Sequence, residues 1–375
     1  MKKVLLILSL ALCICLVLAS CNLQGEQPQN DNTSDNTNLE QPENQNGDSQ
    51  NQTDNTQNGA ETPENPDDTT PETETEPIVV NVASLKGPTS IGLVKLMDDA
   101  AADTSSKYVY DFTIEAAADA INPKLIQGQF DMAALPANVA SVLYNNTDGE
   151  IVVLNVNTLG VLYIVENGNT VNTVEDLRGK TIYASGKGNT PEYALNTMLS
   201  AYGLVPGKDV FIEFKSEHAE CVTAITSEPD AVAMLPQPFV TTAQMADENI
   251  RIALDINKEW ENATEKKLIT GVMVARKAFV EEHPEIVEDF LAKYKTSADY
   301  ANQNVTEAAA LVEKYGIFAA NVAEKAIPYC GITFVSGDEM KQILSDYLVT
   351  LNQQNPAAIG GKLPEDDFYY GTTQE

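Results

Sequence analysis

One short run occurs twice in this chain, and it limits the possible folds more than any other feature. Asp131-Met-Ala-Ala-Leu-Pro136 is echoed by Asp230-Ala-Val-Ala-Met-Leu-Pro236, each preceded by an amphipathic helical pattern and followed by another. Small and apolar residues in unbroken sequence between helical patterns read as a buried strand of an α/β sheet. The surrounding order repeats as well. Strands are predicted over 78–83, 108–114, 132–135 and 151–156, with helices over 87–101, 117–127 and 136–144. A second series follows, with strands over 180–184 and 210–214 and helices over 191–202 and 219–227. The expected architecture is therefore α/β, with two similar lobes that are each a mostly parallel sheet flanked by helices.

Residues 160–165 lead out of the first series and 271–275 out of the second, and both read as crossover strands. The lobes then divide as 78–166 for the first, 167–270 for the second, and 271–375 for the return to the first and the C-terminal helices. The 298 residues from Ile78 onward exceed what one core usually serves. Two extended connections make a hinge over which such lobes close on something small.

Upstream the composition changes abruptly. Residues 22–77 are mostly Asn, Gln, Thr, Pro, Asp and Glu, with a few Gly and Ser and only Leu23, Leu39 and Ala60 as apolar residues, which cannot build a core and predicts disorder. A flexible chain of that length reaches roughly 40 Å root-mean-square, so the segment reads as a tether. Before it stand Met1-Lys2-Lys3, an apolar run over 4–17, and Leu18-Ala19-Ser20-Cys21. This arrangement resembles a bacterial lipoprotein signal, with an apolar run too short for a comfortable span. It implies that residues 1–20 are removed, that Cys21 carries the lipid (palmitate among its acyl chains), and that 21–77 leashes the folded part to the extracytoplasmic face of the cell membrane. Cys13 and Cys15 fall in the discarded part.

The whole chain carries a net charge of −32, of which the tether contributes −14 and the signal +2, leaving −20 on the remainder. Such acidity argues against a nucleic-acid partner and against direct docking on an anionic bilayer. It does not exclude an anionic ligand, because helix amino termini set the local sign of a cleft. Only Cys221 and Cys330 remain in the folded part; two buried thiols are the plainer reading and a disulfide the alternative.

Proline placement points to a site. Gly87-Pro88-Thr89, Leu135-Pro136-Ala137, Asn189-Thr190-Pro191 and Leu235-Pro236-Gln237 each put a helix start just beyond a strand, two per lobe. In open α/β sheets that edge is where ligands bind. Ser185-Gly-Lys-Gly-Asn-Thr190 is the best anion loop, although it lacks the P-loop spacing and also suits a plain capped turn. Lys86 and Lys187, one from each lobe, could meet across the cleft. Catalysis has little support: His218 and His283 form no acid/base pair, no His or Cys pair has zinc-ligand spacing, and Gly-x-Ser-x-Gly is absent.

At this point the chain resembles an ABC-transporter substrate-binding lipoprotein of the nitrate/sulfonate/taurine type. The resemblance is carried by Gln127-Gly-Gln-Phe-Asp-Met-Ala-Ala-Leu135, by Thr173-Val-Glu-Asp-Leu-Arg-Gly-Lys-Thr-Ile182 and by Val274-Ala-Arg-Lys-Ala-Phe-Val-Glu-Glu-His-Pro284, and it covers essentially 79–351. It implies the type II periplasmic-binding-protein fold. It also implies capture of a small-molecule solute, delivery to ABC permease transmembrane subunits, a monomer, and neither cofactor nor metal nor catalysis. Ligand residues carried over by position are Pro88, Thr89 and Ser90; Pro136, Ala137 and Asn138; Ser185, Lys187, Gly188, Asn189 and Thr190; and Gln237. Loop placement adds Asn157, Thr158 and Trp260, the single tryptophan, which would stack on a flat ligand. The cargo is a sulfonate or other small organic anion, or else a thiamine-pyrimidine-like or flavin-like ring. No arginine falls in a candidate loop, which weighs against a strongly anion-selective pocket. A ligand-binding module that feeds a sensor is the alternative role.

Overall fold

The computed structural model describes residues 77–103 and 106–373. The lipobox cysteine Cys21 and the acidic tether lie outside the described residues. The chain opens with β1 (Ile78–Leu85), α1 (Pro88–Ile91), α2 (Val94–Ala102), β2 (Tyr108–Glu115), α3 (Asn122–Ile126), β3 (Met132–Pro136), α4 (Ala137–Asn146) and β4 (Ile151–Leu159). It continues with β5 (Leu162–Asn167), β6 (Thr181–Ala184), α5 (Thr190–Ala201), β7 (Phe211–Phe214), α6 (His218–Ser227), β8 (Val232–Pro236), α7 (Phe239–Ala246), β9 (Ile250–Asp255) and α8 (Ile256–Thr264). The last part is β10 (Ile269–Arg276), α9 (Lys277–Glu282), α10 (Pro284–Gln303), α11 (Val305–Lys314), α12 (Ala320–Ala326), β11 (Ile332–Val335) and α13 (Gly337–Gln354).

Two sheets result, one of six strands in the order β11-β4-β10-β3-β1-β2 and one of five in the order β7-β6-β8-β5-β9. Setting β11 aside, they are the same pattern twice. The echoed runs are β3 and β8, and each is flanked by the strand that has just crossed between lobes: Gly271 of β10 lies opposite Pro136, and Leu162 of β5 opposite Pro236. In this register Asp131 corresponds to Ala231, so the two aspartates of the repeat do different work. Asp131 accepts from the Asn81 amide at 2.9 Å and pairs with Arg276 at 2.6 Å, tying β1, β3 and β10 together.

Three expectations are corrected. The sheets are mixed rather than mostly parallel, because β10 runs antiparallel to both β3 and β4, and β5 antiparallel to both β8 and β9. A crossover strand that enters a sheet from the other lobe runs against its neighbours. The strand expected to close the first lobe, 160–165, begins at Leu162 and pairs only within the second sheet, so the crossing falls at Gly160–Val161 and not at 166/167. The predicted helix over 87–101 is also broken, at Gly92–Leu93, into α1 and α2. Cys221 and Cys330 are both free and buried, in separate apolar clusters. Burial pushes the Cys221 thiol up to about 11 and the Cys330 thiol further in the same direction. Among the described residues, no helix is long and apolar enough to cross a membrane.

Candidate ligand-binding cleft

The carboxyl ends of β1, β3, β6 and β8 face one another between the lobes, and the cavity there has a volume of about 130 Å³. Its first-lobe wall is Lys86, Gly87, Pro88 and Thr89 after β1, with Pro136 at the end of β3 and Thr158 on β4. The second lobe contributes Thr190 and Pro191 at the start of α5, His218 at the start of α6, and Gln237 and Phe239 after β8. Val161, Leu162 and Thr270 of the crossings form the floor. Gly87 has φ of +148°, a conformation open to glycine, which lets the chain turn from β1 into α1 beside the cavity.

Polar groups here are oriented by the protein. The Gln237 carbonyl oxygen accepts from the Thr241 amide (3.3 Å) and hydroxyl (2.8 Å), and these donors decide which end of the carboxamide is oxygen, so Nε2 is the end left to donate. The Thr89 hydroxyl donates to the Leu85 carbonyl at 2.9 Å. His218 Nδ1 is hydrogen-bonded to Ser185 Oγ, and burial pulls the imidazole down to about 4, so it is neutral at physiological pH. Its ring lies 5.1 Å from that of Phe239, which in turn meets Phe318 of the first lobe at 5.2 Å. The Lys86 ammonium sits 5.7 Å from the Phe318 ring. Outside the inner cavity, Lys86, His218, Phe239 and Phe318 open onto a larger, mostly apolar vestibule of about 500 Å³ with Glu217 at its edge.

Of the residues singled out from sequence, Lys86, Pro88, Thr89, Pro136, Thr158, Thr190 and Gln237 line the cavity. The others do not. The Ser90 hydroxyl turns to Ser84 Oγ at 3.0 Å, and Ala137 is buried in the first turn of α4. Asn138 spends its carboxamide on Thr190, Gly188 and Ala358. Asn157 is fully buried, its Oδ1 accepting from Thr158 at 2.9 Å. Ser185 supports His218 from behind. Lys187 lies over Phe214, 5.8 Å from the ring centroid, and neither it nor Gly188 or Asn189 lines the cavity, so the expected meeting of Lys86 and Lys187 does not occur there. Trp260 is on α8 and not in a loop; it is completely buried against Tyr347 at 5.6 Å and serves as core.

His218, Phe239 and Phe318 were missed as site residues. A lone histidine and two phenylalanines carry no spacing signal, and only the Pro236-Gln237 junction hinted at Phe239 through its nearness in sequence.

The sequence profile described as "ABC transporter, phosphonate, periplasmic substrate-binding protein" matches residues 93–323. The chain belongs to that family. Its members are solute-binding proteins of ABC importers, working outside the cytoplasm, and not enzymes. This bears out the resemblance to ABC-transporter substrate-binding proteins read from the sequence, with the phosphonate type as the matching profile. Among solved structures, an ABC transporter protein from Parabacteroides distasonis is 25% identical, with 78% of this chain and 98% of that one covered and a TM-score of 0.65. The periplasmic aliphatic sulphonate binding protein SsuA from Escherichia coli (17% identity, 80% and 94% covered, TM-score 0.62) has a similar fold. So does the alkanesulfonate-binding protein SsuA from Xanthomonas axonopodis pv. citri bound to MOPS (13%, 78% and 96%, 0.61). No curated protein matches at the level of sequence.

Proposed function

We propose that this protein is the solute receptor of its importer, lipid-anchored through Cys21 on the extracytoplasmic face of the membrane, and that it closes its lobes over a small organic anion or heterocycle with an apolar body. The anchor rests on the lipobox residues Leu18 to Cys21. The cargo reading rests on one observation above all: the single ammonium of the cleft among the described residues, Lys86, stands over the Phe318 ring beside Phe239 and a neutral His218. One cation and the Gln237 amide suit one polar or anionic end of a ligand, while the rings suit a flat or aliphatic remainder. A thiamine-precursor-like or other aromatic solute is the variant that the three rings favour, with Phe239 and Phe318 in the place that Trp260 was expected to take. Bound cargo would pass to the permease on reopening.

The test is a thermal-shift screen with phosphonates, the sulfonates named for the Escherichia coli and Xanthomonas proteins, aromatic carboxylates and thiamine precursors. A ligand at a hundredfold excess over its Kd adds about 2.7 kcal/mol of stability. A hit lost in Lys86→Ala and kept in Phe318→Leu assigns the cargo to charge, and the reverse assigns it to the rings. A folded, ligand-free protein that answers none of these compounds would count against small-solute capture.

A further inference from the structure

Thr190 opens α5, a helix of 12 residues, and lines the cavity. Backbone N–H groups in a first helical turn have no partner within the helix and are the natural donors for a ligand oxygen. Here none is free: Pro191 has no N–H, the Glu192 amide donates to the Asn189 carbonyl at 3.1 Å, and the Thr190 amide is taken by a side chain. The Thr190 amide donates to Asn138 Oδ1 at 3.1 Å and its hydroxyl to the same oxygen at 3.2 Å, while the Tyr347 hydroxyl lies 2.8 Å from Thr190 Oγ1. Asn138 stands on α4 of the opposite lobe and is 1% exposed. Its Nδ2 donates to the Gly188 carbonyl at 3.2 Å and the Ala358 carbonyl at 3.1 Å.

A carboxamide offers two acceptor positions and two donor protons, and all four are used. The orientation is decided by the partners, because the flipped amide would set NH₂ against the Thr190 N–H and oxygen against two carbonyls. Asn138 Oδ1 therefore does at Thr190 what an oxygen of a phosphonate or sulfonate would do. We propose that Asn138 is a specificity-determining residue, a built-in plug that fills the oxyanion position at the start of α5 and, by reaching across from the first lobe, fixes the closed arrangement at the same time. The proposal rests on the two-lobed solute-binding reading. It narrows the cargo to compounds that need no oxyanion donors from α5 and take their polar contacts from Lys86 and Gln237.

The experiment compares the full chain, in detergent, with its Asn138→Ala and Asn138→Ser variants by hydrogen exchange at the Thr190 amide and by titration with methylphosphonate and with sulfate. Removing two hydrogen bonds to one oxygen is expected to speed exchange at Thr190 about tenfold and to tighten methylphosphonate binding about tenfold over the parent. Asn138→Ser, which is too short to reach Thr190, should do the same and is read alone if the alanine variant fails to fold. An unchanged Thr190 exchange rate in the folded variant, or a parent that binds methylphosphonate as tightly as the variant, overturns the proposal. Exchange is read with no ligand present, so a silent cargo screen and a failed plug remain distinguishable.

Discussion

Phe239 of the second lobe and Phe318 of the first meet edge to face across the mouth of the cleft, with ring centroids 5.2 Å apart and planes at 82°. The pair exists only while the lobes are together, because α7 follows β8 in one sheet and Phe318 precedes α12 on the other side. On the proposed closing mechanism it would contribute to the energetics of closure. The Lys86 ammonium over the same ring couples that contact to the charge of the cleft.

Phe318→Ala should therefore act on binding more than on folding. An edge-to-face pair contributes about 0.5–1.5 kcal/mol beyond the area it buries, so solute affinity is expected to fall roughly fivefold. Phe318 is only half-buried, and the denaturation midpoint should move little. Isothermal titration with the best compound of the screen decides it; equal affinities would remove the pair from closure.

Glu166 is a fully buried carboxylate that stays charged. It accepts from the Thr170 amide at 2.9 and 3.0 Å and the Val171 amide at 3.1 Å, bonds the Thr170 hydroxyl, and pairs with Arg251 at 2.9 Å. Burial on its own would raise its pKa, but the Thr170 and Val171 donors and Arg251 outweigh it and hold the group below the ordinary glutamate value. The stabilisation is therefore complete above that ordinary value and is lost as pH falls through the lower folded one. Glu166→Gln leaves Arg251 facing no charge and should cost roughly 3 kcal/mol at neutral pH, with the gap from the parent closing below about pH 4. Urea midpoints at pH 7 that coincide would show the network to be neutral.

How much of this could be read beforehand depends on how local each feature is. The repeat around Leu135-Pro136 and Leu235-Pro236 was legible because strand burial and a proline at a helix start both leave marks within a few residues. Strand direction was not: β5 and β10 carry the same apolar runs whether they lie parallel or antiparallel, and only the lobe crossing decides. Cleft residues were legible where they sit in a strand-to-helix junction, as Thr89 and Gln237 do. Trp260 misled because its burial depends on Tyr347, far along the chain in α13. His218 was overlooked because its role comes from Ser185, on a neighbouring strand end, and not from any residue near it in sequence.

Gly271, next to Thr270 of the floor, has no room for a side chain. A Cβ built there would lie 2.5 Å from Asn157 Oδ1, 2.8 Å from Thr89 Cγ2 and 3.2 Å from Thr158 Cβ. None of these neighbours can simply swing clear, since Asn157 is fully buried and the Thr89 hydroxyl is held by Leu85. Gly271→Ala should cost about 1–3 kcal/mol as overpacking and push Thr89 and Thr158 into the cavity. Loss of solute response in a variant that still melts cooperatively is the expected outcome. A variant that melts and binds like the parent would mean that the floor yields.

His218 makes the stability of the protein depend on pH where few other groups do. Burial holds its pKa at about 4 against an ordinary 6.5. The groups that share its surroundings are Ser185 at Nδ1, the Phe239 ring, and Lys86 and Glu217 on the vestibule wall. Between the two values the unfolded chain binds a proton that the folded one refuses, so stability rises with pH across this window. The contribution is complete above the unfolded value and is lost as pH falls toward the folded one. At most, one such group changes stability by about 1.4 kcal/mol per pH unit. His218→Phe keeps a ring against Phe239 and removes the titration, so urea midpoints from pH 7.5 to 5 should fall in the parent and stay flatter in the variant. Glu166 does not blur the comparison, because its own loss lies below the window. Parallel slopes in the two proteins would show that the imidazole takes up its proton in the folded cleft as readily as in the unfolded chain. Lys86 would then share the cleft with a second cation below about pH 6.5, and cargo affinity would have to be compared on the two sides of that value.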